Sequence, residues 1–204
     1  MASQQRSEET YNHLLDMAGR CFAKEGYDAT SVAKICRQAG VSKGAFYYHF
    51  SSKQALFLEL LNRWLTQLDQ HMADLRSEAA SAPEALLHMA TAIRQVLASA
   101  SGRFPIFLEF WVKAQRDPVV WEATIEPYRR YQHLIVEIIE TGIAEGTLRS
   151  VDAEMVAQTL VSLAVGHILQ GTLTPQDAEW GEVAEQSIRL FMEGLLVSEG
   201  GAPD

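Results

Sequence analysis

The chain has few of the sequence features that are typical of secreted, membrane-spanning or disulfide-rich proteins: long apolar runs, a signal peptide and many cysteines. Its uninterrupted apolar stretches are only a few residues long, well short of the roughly 20 residues that span a membrane. Its N-terminal segment, MASQQRSEET, is polar and lacks the apolar run of a signal peptide, so we expect a cytoplasmic protein. The only two cysteines, Cys21 and Cys36, fall on apolar faces of predicted helices, which favours buried reduced thiols over a redox-sensing pair.

The sequence also lacks the motifs of common enzymes. It has no Ser/His/Asp spacing, no glycine-rich phosphate loop and no nucleophile elbow. His133 and Glu137 are four residues apart and could share a metal ion, but that spacing more often marks an exposed helical ion pair. We therefore expect no catalytic activity, no cofactor and no metal site, and keep a helical enzyme on the same scaffold as an alternative.

Positive charge is scarce and unevenly placed. The chain has 17 Lys and Arg against 26 Asp and Glu, a formal net charge of −9. Residues 1–55 carry seven basic and five acidic residues, a net of +2, whereas residues 56–204 carry ten and twenty-one, a net of −11. Such a chain would turn its basic end toward a phosphate backbone and keep its acidic body away. With so few cations, binding to DNA would depend on a dimer with two sites.

Residues 30–53, TSVAKICRQAGVSKGAFYYHFSSK, carry the densest local pattern, which predicts two short helices joined by a tight turn. The first helix has one apolar face, formed at helical spacing by Val32, Ile35, Cys36 and Ala39. Gly40 follows, where a glycine can adopt the left-handed conformation that ends a helix. Phe46 and Phe50, four residues apart, anchor the second helix to the core.

The opposite face of the second helix lacks carboxylates and offers several hydrogen-bond donors and two aromatic rings. Gly44 lies on this face, although a glycine costs roughly 1 kcal/mol relative to alanine within a helix. A backbone that must approach another surface closely explains that choice, and a groove of DNA is such a surface. The face consists of Ser42, Lys43, Gly44, Ala45, Tyr47, Tyr48 and His49.

Two helix starts flank this pair. Thr30 and Ser31 are good N-caps for the first short helix. Ser51 and Gln54 form a capping-box pattern that opens a long helix. Lys53 therefore lies in the first turn of that helix, where backbone N–H groups also face any bound phosphate.

The run AGVSKGAFYYHFSSKQALFLELL resembles the signature of the TetR family of bacterial transcriptional regulators, over about residues 7–60. The resemblance implies that the exposed face of the second helix contacts DNA. It also implies phosphate contacts from Thr30, Ser31 and Lys53. Family members often carry a polar residue where this chain has Ala45, which offers only an apolar contact, for instance to a thymine methyl.

The whole chain is predicted to be all-α, with an N-terminal three-helix helix-turn-helix DNA-binding domain at residues 1–52. A helical bundle for effector binding and dimerisation follows at residues 53–204, matching the family in pattern only. Pro127 is expected to kink or split one of its helices. The predicted helices cover residues 7–26, 31–39, 42–49, 52–76, 83–100, 105–115, 118–146, 152–169 and 175–198.

The last two helices are the predicted dimer interface, a two-fold four-helix arrangement. Residues 152–169 are apolar nearly all round, which indicates burial on more than one side. The alternative is that these residues only close the monomer core. A two-fold dimer would place two recognition helices about 34–36 Å apart, on a near-palindromic operator. The candidates are Met155, Leu160, Leu163, Ile168, Ile188, Phe191 and Leu195.

An aromatic-rich set in the middle of the chain suits a mostly apolar effector cavity with a few orienting polar groups. The same spacing is equally typical of core residues. A flat or elongated apolar effector is favoured, and a basic one would require Glu109 or Glu137 to turn inward. The candidates are Trp64, Phe104, Phe107, Trp111, Tyr128, Tyr131 and His167.

These features together predict a ligand-responsive DNA-binding regulator. A repressor is expected because that is the family's tendency, with a dimer released from its operator by a small, mostly apolar or aromatic effector. A helical DNA-binding regulator controlled by a protein partner remains the alternative.

Overall fold

The computed structural model of the chain describes residues 2–99, 108 and 111–197. These residues form α-helices and no strand, with one isolated antiparallel bridge between Leu148 and Leu196. The predicted all-α class is confirmed. The helices are α1 Ala2–Glu25, α2 Val32–Ala39, α3 Lys43–His49, α4 Lys53–Glu78, α5 Ala82–Ser99, α6 Pro118–Ala144, α7 Ala153–Leu173 and α8 Trp180–Glu193; residues 111–114 are also helical.

Most helix ends lie where the sequence signals put them. Asp152 caps α7, since its side chain accepts a hydrogen bond from the Met155 N–H at 3.0 Å. α1 begins five residues before the predicted start because the polar residues that precede its apolar face continue the helix. Pro127 lies inside α6, which runs unbroken past it, so the helix is not split there.

The start of α4 differs from the predicted capping box. The cap is Ser52, whose Oγ accepts a hydrogen bond from the Ala55 N–H at 3.0 Å. The Gln54 side chain instead donates to an Asp117 oxygen at 2.6 Å. A pattern of four neighbouring residues could not show this, because the partner lies 63 residues away in the chain.

The chain forms two compact units. Unit 1 comprises Met1–Gln67 and Ser101–Ile125, and unit 2 comprises Leu68–Ala100 and Glu126–Asp204. These units do not coincide with a boundary at residue 52. The first half of α4 and the residues after 111 share one core with α1, α2 and α3.

The core of unit 1 holds α3 in place. Phe46 and Phe50 of α3 are buried there, as predicted, together with Phe22 of α1 and Phe57 of α4. The Phe22 and Phe57 rings meet edge to face, with centroids 5.6 Å apart. Other members are Leu14, Leu15, Ala18, Tyr27, Ile35, Cys36, Ala39, Leu56, Leu61, Ala114 and Val120.

Unit 2 has a separate core built by α5, α6, α7 and α8. Packing is close at Gly142 of α6, where a Cβ atom would lie 2.7 Å from Leu148 Cδ1. The residue after that leucine, Arg149, donates its N–H to the Leu195 carbonyl at 2.9 Å, which ties the α6–α7 connection to the end of α8. The core includes Leu86, Met89, Ile138, Ile139, Val156, Leu160, Ile188 and Met192.

By length and composition, one described helix, α7, is apolar enough to cross a membrane. The search of the sequence for long uninterrupted apolar stretches did not find α7, because polar residues such as Ser162 and His167 divide it. About a fifth of its apolar window is buried inside the chain. The same composition is typical of a helix that packs on more than one side.

Candidate nucleic-acid interface and effector region

The turn between α2 and α3 is closed by local hydrogen bonds. Gly40 has φ 65°, the left-handed conformation predicted for it. The Val41 N–H reaches back to the Cys36 carbonyl at 3.0 Å. Ser31 and Ser42 cap the two helices, accepting from the Lys34 N–H at 3.2 Å and the Ala45 N–H at 3.1 Å, respectively. The turn therefore fixes the direction in which α3 leaves α2.

One face of α3 is open to solvent. Tyr48 is 78% exposed and Tyr47 is 56% exposed, whereas Phe46 on the opposite face is fully buried. Ser42, Lys43 and Gly44 are also exposed, and Ala45 and His49 are partly buried at its margins. All seven predicted contact residues are therefore at least partly accessible, and none is a carboxylate.

Gly44 is not required by the fold. A Cβ atom built on it would meet only the Ser42 Oγ, at an ordinary contact distance of 3.6 Å. Its φ is not positive, so the backbone does not need a glycine either. Close approach of an external surface accounts for a glycine here better than internal packing does.

Tyr11 of α1 supports the end of α3. Its ring stacks on Phe50 with centroids 5.0 Å apart, and meets the His49 ring edge to face at 5.9 Å. Burial, with a hydrogen bond to Glu59, raises the pKa of Tyr11 to about 12. The ring is thus neutral at ordinary pH and fixes His49 at the edge of the exposed face. Tyr11 was not identified from the sequence as part of this site.

The predicted phosphate contact of Thr30 is wrong. Its side chain is completely buried, and its Oγ1 donates to the Gly26 carbonyl at 2.8 Å. Its N–H is bonded to the Tyr27 carbonyl at 3.2 Å. Ser31, which is exposed and caps α2, remains the candidate at this helix start.

The structure also corrects the role expected for Lys53. Its ammonium group donates to the carbonyls of Tyr27 and Thr30, at 2.7 and 2.8 Å, and lies 4.1 Å from the centroid of the Tyr27 ring. Lys113 lies 4.2 Å from the same centroid and is ion-paired with Asp28 at 3.1 Å. The Lys53 side chain thus holds the loop before α2 rather than extending to a phosphate.

The positive charge available to DNA is smaller than the sequence suggests. Residues 28–55 contain four basic residues, of which Lys34 is paired with Glu25 and Lys53 with backbone carbonyls. Lys43 and Arg37 are exposed. Arg37, in the last turn of α2, was not identified from the sequence, although a basic residue beside the turn is a signal that could have found it.

Two family models match the chain. Residues 14–60 match the model described as bacterial regulatory proteins, tetR family. Residues 84–197, more than half of the chain, match the model described as BetI-type transcriptional repressor, C-terminal. The chain belongs to the TetR family. It is a DNA-binding transcriptional repressor of the helix-turn-helix type.

Relatives resemble this TetR-family repressor over different lengths. The regulator AcrR of Shigella flexneri is 43% identical over 58 residues, which cover 28% of this chain and only 27% of AcrR. The repressor KstR2 of Rhodococcus jostii (strain RHA1) is 25% identical over 189 residues, 89% of each chain. A regulator from Saccharomonospora viridis, solved in complex with choline, superposes with a TM-score of 0.80 at 23% identity, covering 94% of this chain and 100% of that one. The structural likeness shows the fold alone.

The aromatic candidates for the effector site of this TetR-family repressor fall into different places. Trp64 and Trp111 belong to unit 1, and Phe104 and Phe107 lie outside the described residues. Tyr128 of unit 2 is 39% exposed.

Two of the polar side chains expected to orient an effector already form hydrogen bonds within the chain. The Tyr131 hydroxyl donates to Asp69 at 2.5 Å, and burial together with this carboxylate raises the pKa of Tyr131. His167 is buried, with Nδ1 2.6 Å from the Leu163 carbonyl and Nε2 3.2 Å from Ser187 Oγ, so it links α7 to α8. The place of His167 in an effector cavity stays a prediction.

A groove of about 700 Å³ lies between α4 and α6 within unit 2. Of the seven aromatic and histidine candidates, it includes Tyr131 but neither Tyr128 nor His167. Its other residues are largely charged, which the aromatic pattern in the sequence did not indicate. The groove is lined by Asp69, Met72, Ala73, Arg76, Glu126, Arg129, Arg130, Tyr131, His133, Leu134 and Glu137.

The dimerisation candidates divide between core and surface. Leu160, Ile188 and Leu195 are buried in the core of unit 2, so assigning them to an interface is wrong. Met155 is 59% exposed, and the remaining three, Leu163, Ile168 and Phe191, are partly buried. Exposed leucines that were not identified from the sequence are Leu173 and Leu190.

Proposed function

We propose that this repressor binds a near-palindromic operator as a homodimer and releases it when a small molecule binds to unit 2. The observation that carries the proposal is the exposed, carboxylate-free face of α3, held by two buried phenylalanines. A helix presented in this way enters the major groove of DNA in helix-turn-helix proteins.

Five residues of the α3 face have roles in this proposal. The Tyr47 and Tyr48 hydroxyls and the Lys43 ammonium group supply donors for phosphates or base edges. Ala45 offers only a methyl group, which suits a thymine methyl. Gly44 lets the helix backbone lie close to the groove.

An exposed seam on α7 supports the homodimer. Residues 155, 159, 162, 166, 169 and 173 follow each other at intervals of four and three, so they lie on one side of α7. Met155 and Leu173 are 59% and 67% exposed, which leaves apolar surface for a partner to cover. Gly166 lies in the middle of this seam, and a Cβ atom there would meet nothing within 4 Å. A second copy of α7 could therefore approach closely at Gly166.

Two helices connect the proposed effector region with the DNA-binding residues. Residues up to Gln67 of α4 belong to unit 1 and those from Leu68 to unit 2, and α6 changes unit after Ile125. A ligand that shifts either helix within unit 2 would act on residues that also build the core around α3. It must bind the two arrangements with different affinities, since equal affinity shifts nothing. The choline complex of the similar Saccharomonospora viridis regulator supports a small-molecule effector.

The first experiment selects an operator from random duplexes and titrates it against the protein by fluorescence anisotropy. Tyr48→Ala and Lys43→Ala should each lose specific binding while circular dichroism shows an unchanged fold. Tyr128→Ala, which removes an exposed tyrosine from unit 2, is the matched control and should bind as the wild type does. Wild-type affinity in both α3 variants would refute the proposed docking.

The dimer is tested by Gly166→Leu. A Cβ atom at Gly166 meets nothing within 4 Å, so we expect the monomer to fold with the added side chain. That side chain should block a partner helix at the seam. Asn62→Leu adds the same side chain to an exposed position of α4 in unit 1. Sedimentation should give a monomer for Gly166→Leu and a dimer for Asn62→Leu; a dimer in both would place the interface elsewhere.

A further inference from the structure

We infer that the groove between α4 and α6 binds an elongated organic anion, with Arg129 holding its acidic group and an apolar floor holding its chain. The inference rests on the proposed function, because it names the class of effector that unit 2 would recognise. It does not follow from the aromatic pattern, since Tyr131 is the one member among the described residues that lines the groove.

The groove has the dimensions of a small-molecule site. One wall is a single face of α4, where residues 69, 72, 73 and 76 recur at helical spacing. The other wall is one face of α6, from Glu126 to Glu137, which corresponds to a length of about 16 Å. The volume of about 700 Å³ lies within the range typical of ligand pockets. The ligand that fits is therefore elongated rather than compact.

The floor of the groove is apolar. Met72 of α4 and Leu134 of α6 both pack against the core of unit 2 and also line the groove. Ala73 adds a small apolar side chain on the α4 wall. A methylene chain along these three residues would remove apolar surface from water on both partners.

Each carboxylate of the groove has an arginine partner. Both oxygens of Asp69 accept from Arg130 Nη2, at 2.9 and 2.7 Å, and Asp69 also accepts the Tyr131 hydroxyl. Glu126 is ion-paired with Arg130 at 3.7 Å, and Glu137 is ion-paired with Arg76 at 3.8 Å. Arg130 is thus shared between Asp69 and Glu126, and none of the three acids is paired with Arg129.

Arg129 is the uncommitted charge. It is exposed on the α6 wall and makes no ion pair or hydrogen bond with any residue that the structure describes. A guanidinium group presents a planar fork of donors that matches a carboxylate or a phosphate. The acidic group of the ligand is therefore placed at Arg129.

A quaternary ammonium ligand fits this groove poorly. Such a cation is recognised by open aromatic faces or carboxylates. The Tyr131 ring already carries the Arg130 guanidinium, 5.5 Å from its centroid, and Asp69 is saturated. In this respect the groove does not suit the choline that occupies the similar Saccharomonospora viridis regulator.

The inference is tested by calorimetry with three ligands that share a ten-carbon chain, all below their micelle concentrations: decanoate, decan-1-ol and decyltrimethylammonium. Decanoate should bind at least tenfold more tightly than the alcohol, and the ammonium compound should bind most weakly. Equal binding of all three, or preference for the cation, would overturn the inference.

Two variants locate the binding. Arg129→Gln should reduce decanoate affinity at least tenfold and leave decan-1-ol unchanged, whereas Arg116→Gln, at an exposed arginine of unit 1, should change neither. Ala73→Trp fills the groove without altering its charge and should abolish binding of both compounds. Unchanged decanoate binding in Arg129→Gln or in Ala73→Trp would refute the assignment.

Operator release separates this inference from the proposed function. If decanoate binds through Arg129 but leaves the operator complex intact, the groove assignment stands and the proposed response to its ligand fails. If another small molecule releases the operator equally well from Ala73→Trp and from the wild type, the response stands and the groove assignment fails.

Discussion

Replacing Lys53 with methionine distinguishes a structural lysine from a phosphate-binding one. Methionine keeps most of the apolar stem and removes the ammonium group. The variant loses two hydrogen bonds to the Tyr27 and Thr30 carbonyls and the contact with the Tyr27 ring. Lys24→Met, at an exposed lysine near the end of α1, is the matched control.

The magnitude follows from these contacts. A hydrogen bond from a charged group contributes about 1.5–3 kcal/mol. Two such bonds would contribute about 3–6 kcal/mol if they were fully buried. Because Lys53 is only partly buried, we expect about 2–3 kcal/mol from the two together. For a chain of this size, 1 kcal/mol shifts the melting temperature by about 2–4 °C. Lys53→Met should therefore melt roughly 5–10 °C below the wild type, and Lys24→Met within a degree or two of it.

The assay combines thermal denaturation by circular dichroism with operator titrations at several salt concentrations. A lost phosphate contact lowers the slope of log affinity against log salt by about 0.9 per site. At a temperature where Lys53→Met is fully folded, that slope should equal the wild-type slope. An unchanged melting temperature with a reduced slope would refute the structural role and restore the phosphate contact.

Three further changes test the helices that position the site. The folded state keeps the Tyr11 proton up to about pH 12, whereas the unfolded chain releases it near pH 10, so the wild-type free energy of unfolding should fall between these two pH values. Tyr11→Phe cannot titrate, so its free energy of unfolding, measured by denaturant titration, should fall less over this range. An identical fall in both proteins would contradict this. Ser42→Ala should lower stability by about 1 kcal/mol through loss of the α3 cap, measured by urea titration, and a neutral effect would mean that the cap contributes nothing. Gly142→Ala should destabilise the folded protein by about 1–3 kcal/mol because its Cβ atom would overlap neighbouring side chains. Gly19→Ala is the control, because its Cβ atom would make an ordinary contact of 3.8 Å. Equal shifts of the melting temperature in both variants would contradict the packing at Gly142.

Local signals predicted the recognition helix well. The cap at Ser31, the left-handed Gly40 and the inward Phe46 and Phe50 depend on neighbours within a few residues. Interactions of that range are readable from spacing alone, which is why the exposed face of α3 could be identified from the sequence.

A long-range contact accounts for the error at Lys53, and a contact four residues back in the chain accounts for the error at Thr30. Lys53 meets carbonyls 26 and 23 residues away, and the Thr30 hydroxyl turns back to Gly26 instead of facing solvent. The phosphate-binding role of both residues was implied by the family resemblance. Only the folded chain shows that their polar groups are engaged internally.

The sequence could not show which face of α7 is buried and which is exposed, for a different reason. The helix is apolar nearly all round, so its periodicity does not separate Leu160, which is buried, from Met155 and Leu173, which are exposed. The groove was missed because its walls consist largely of paired charges, which in a sequence resemble an ordinary solvated surface.

Native mass spectrometry of the protein with its selected operator tests the proposed operator-binding dimer in one experiment. The expected complex contains one duplex and twice the 22.7 kDa chain, and the Tyr48→Ala protein should remain a dimer without duplex. A single chain on the duplex would contradict the homodimer, and a duplex retained by Tyr48→Ala would contradict recognition through the exposed face of α3.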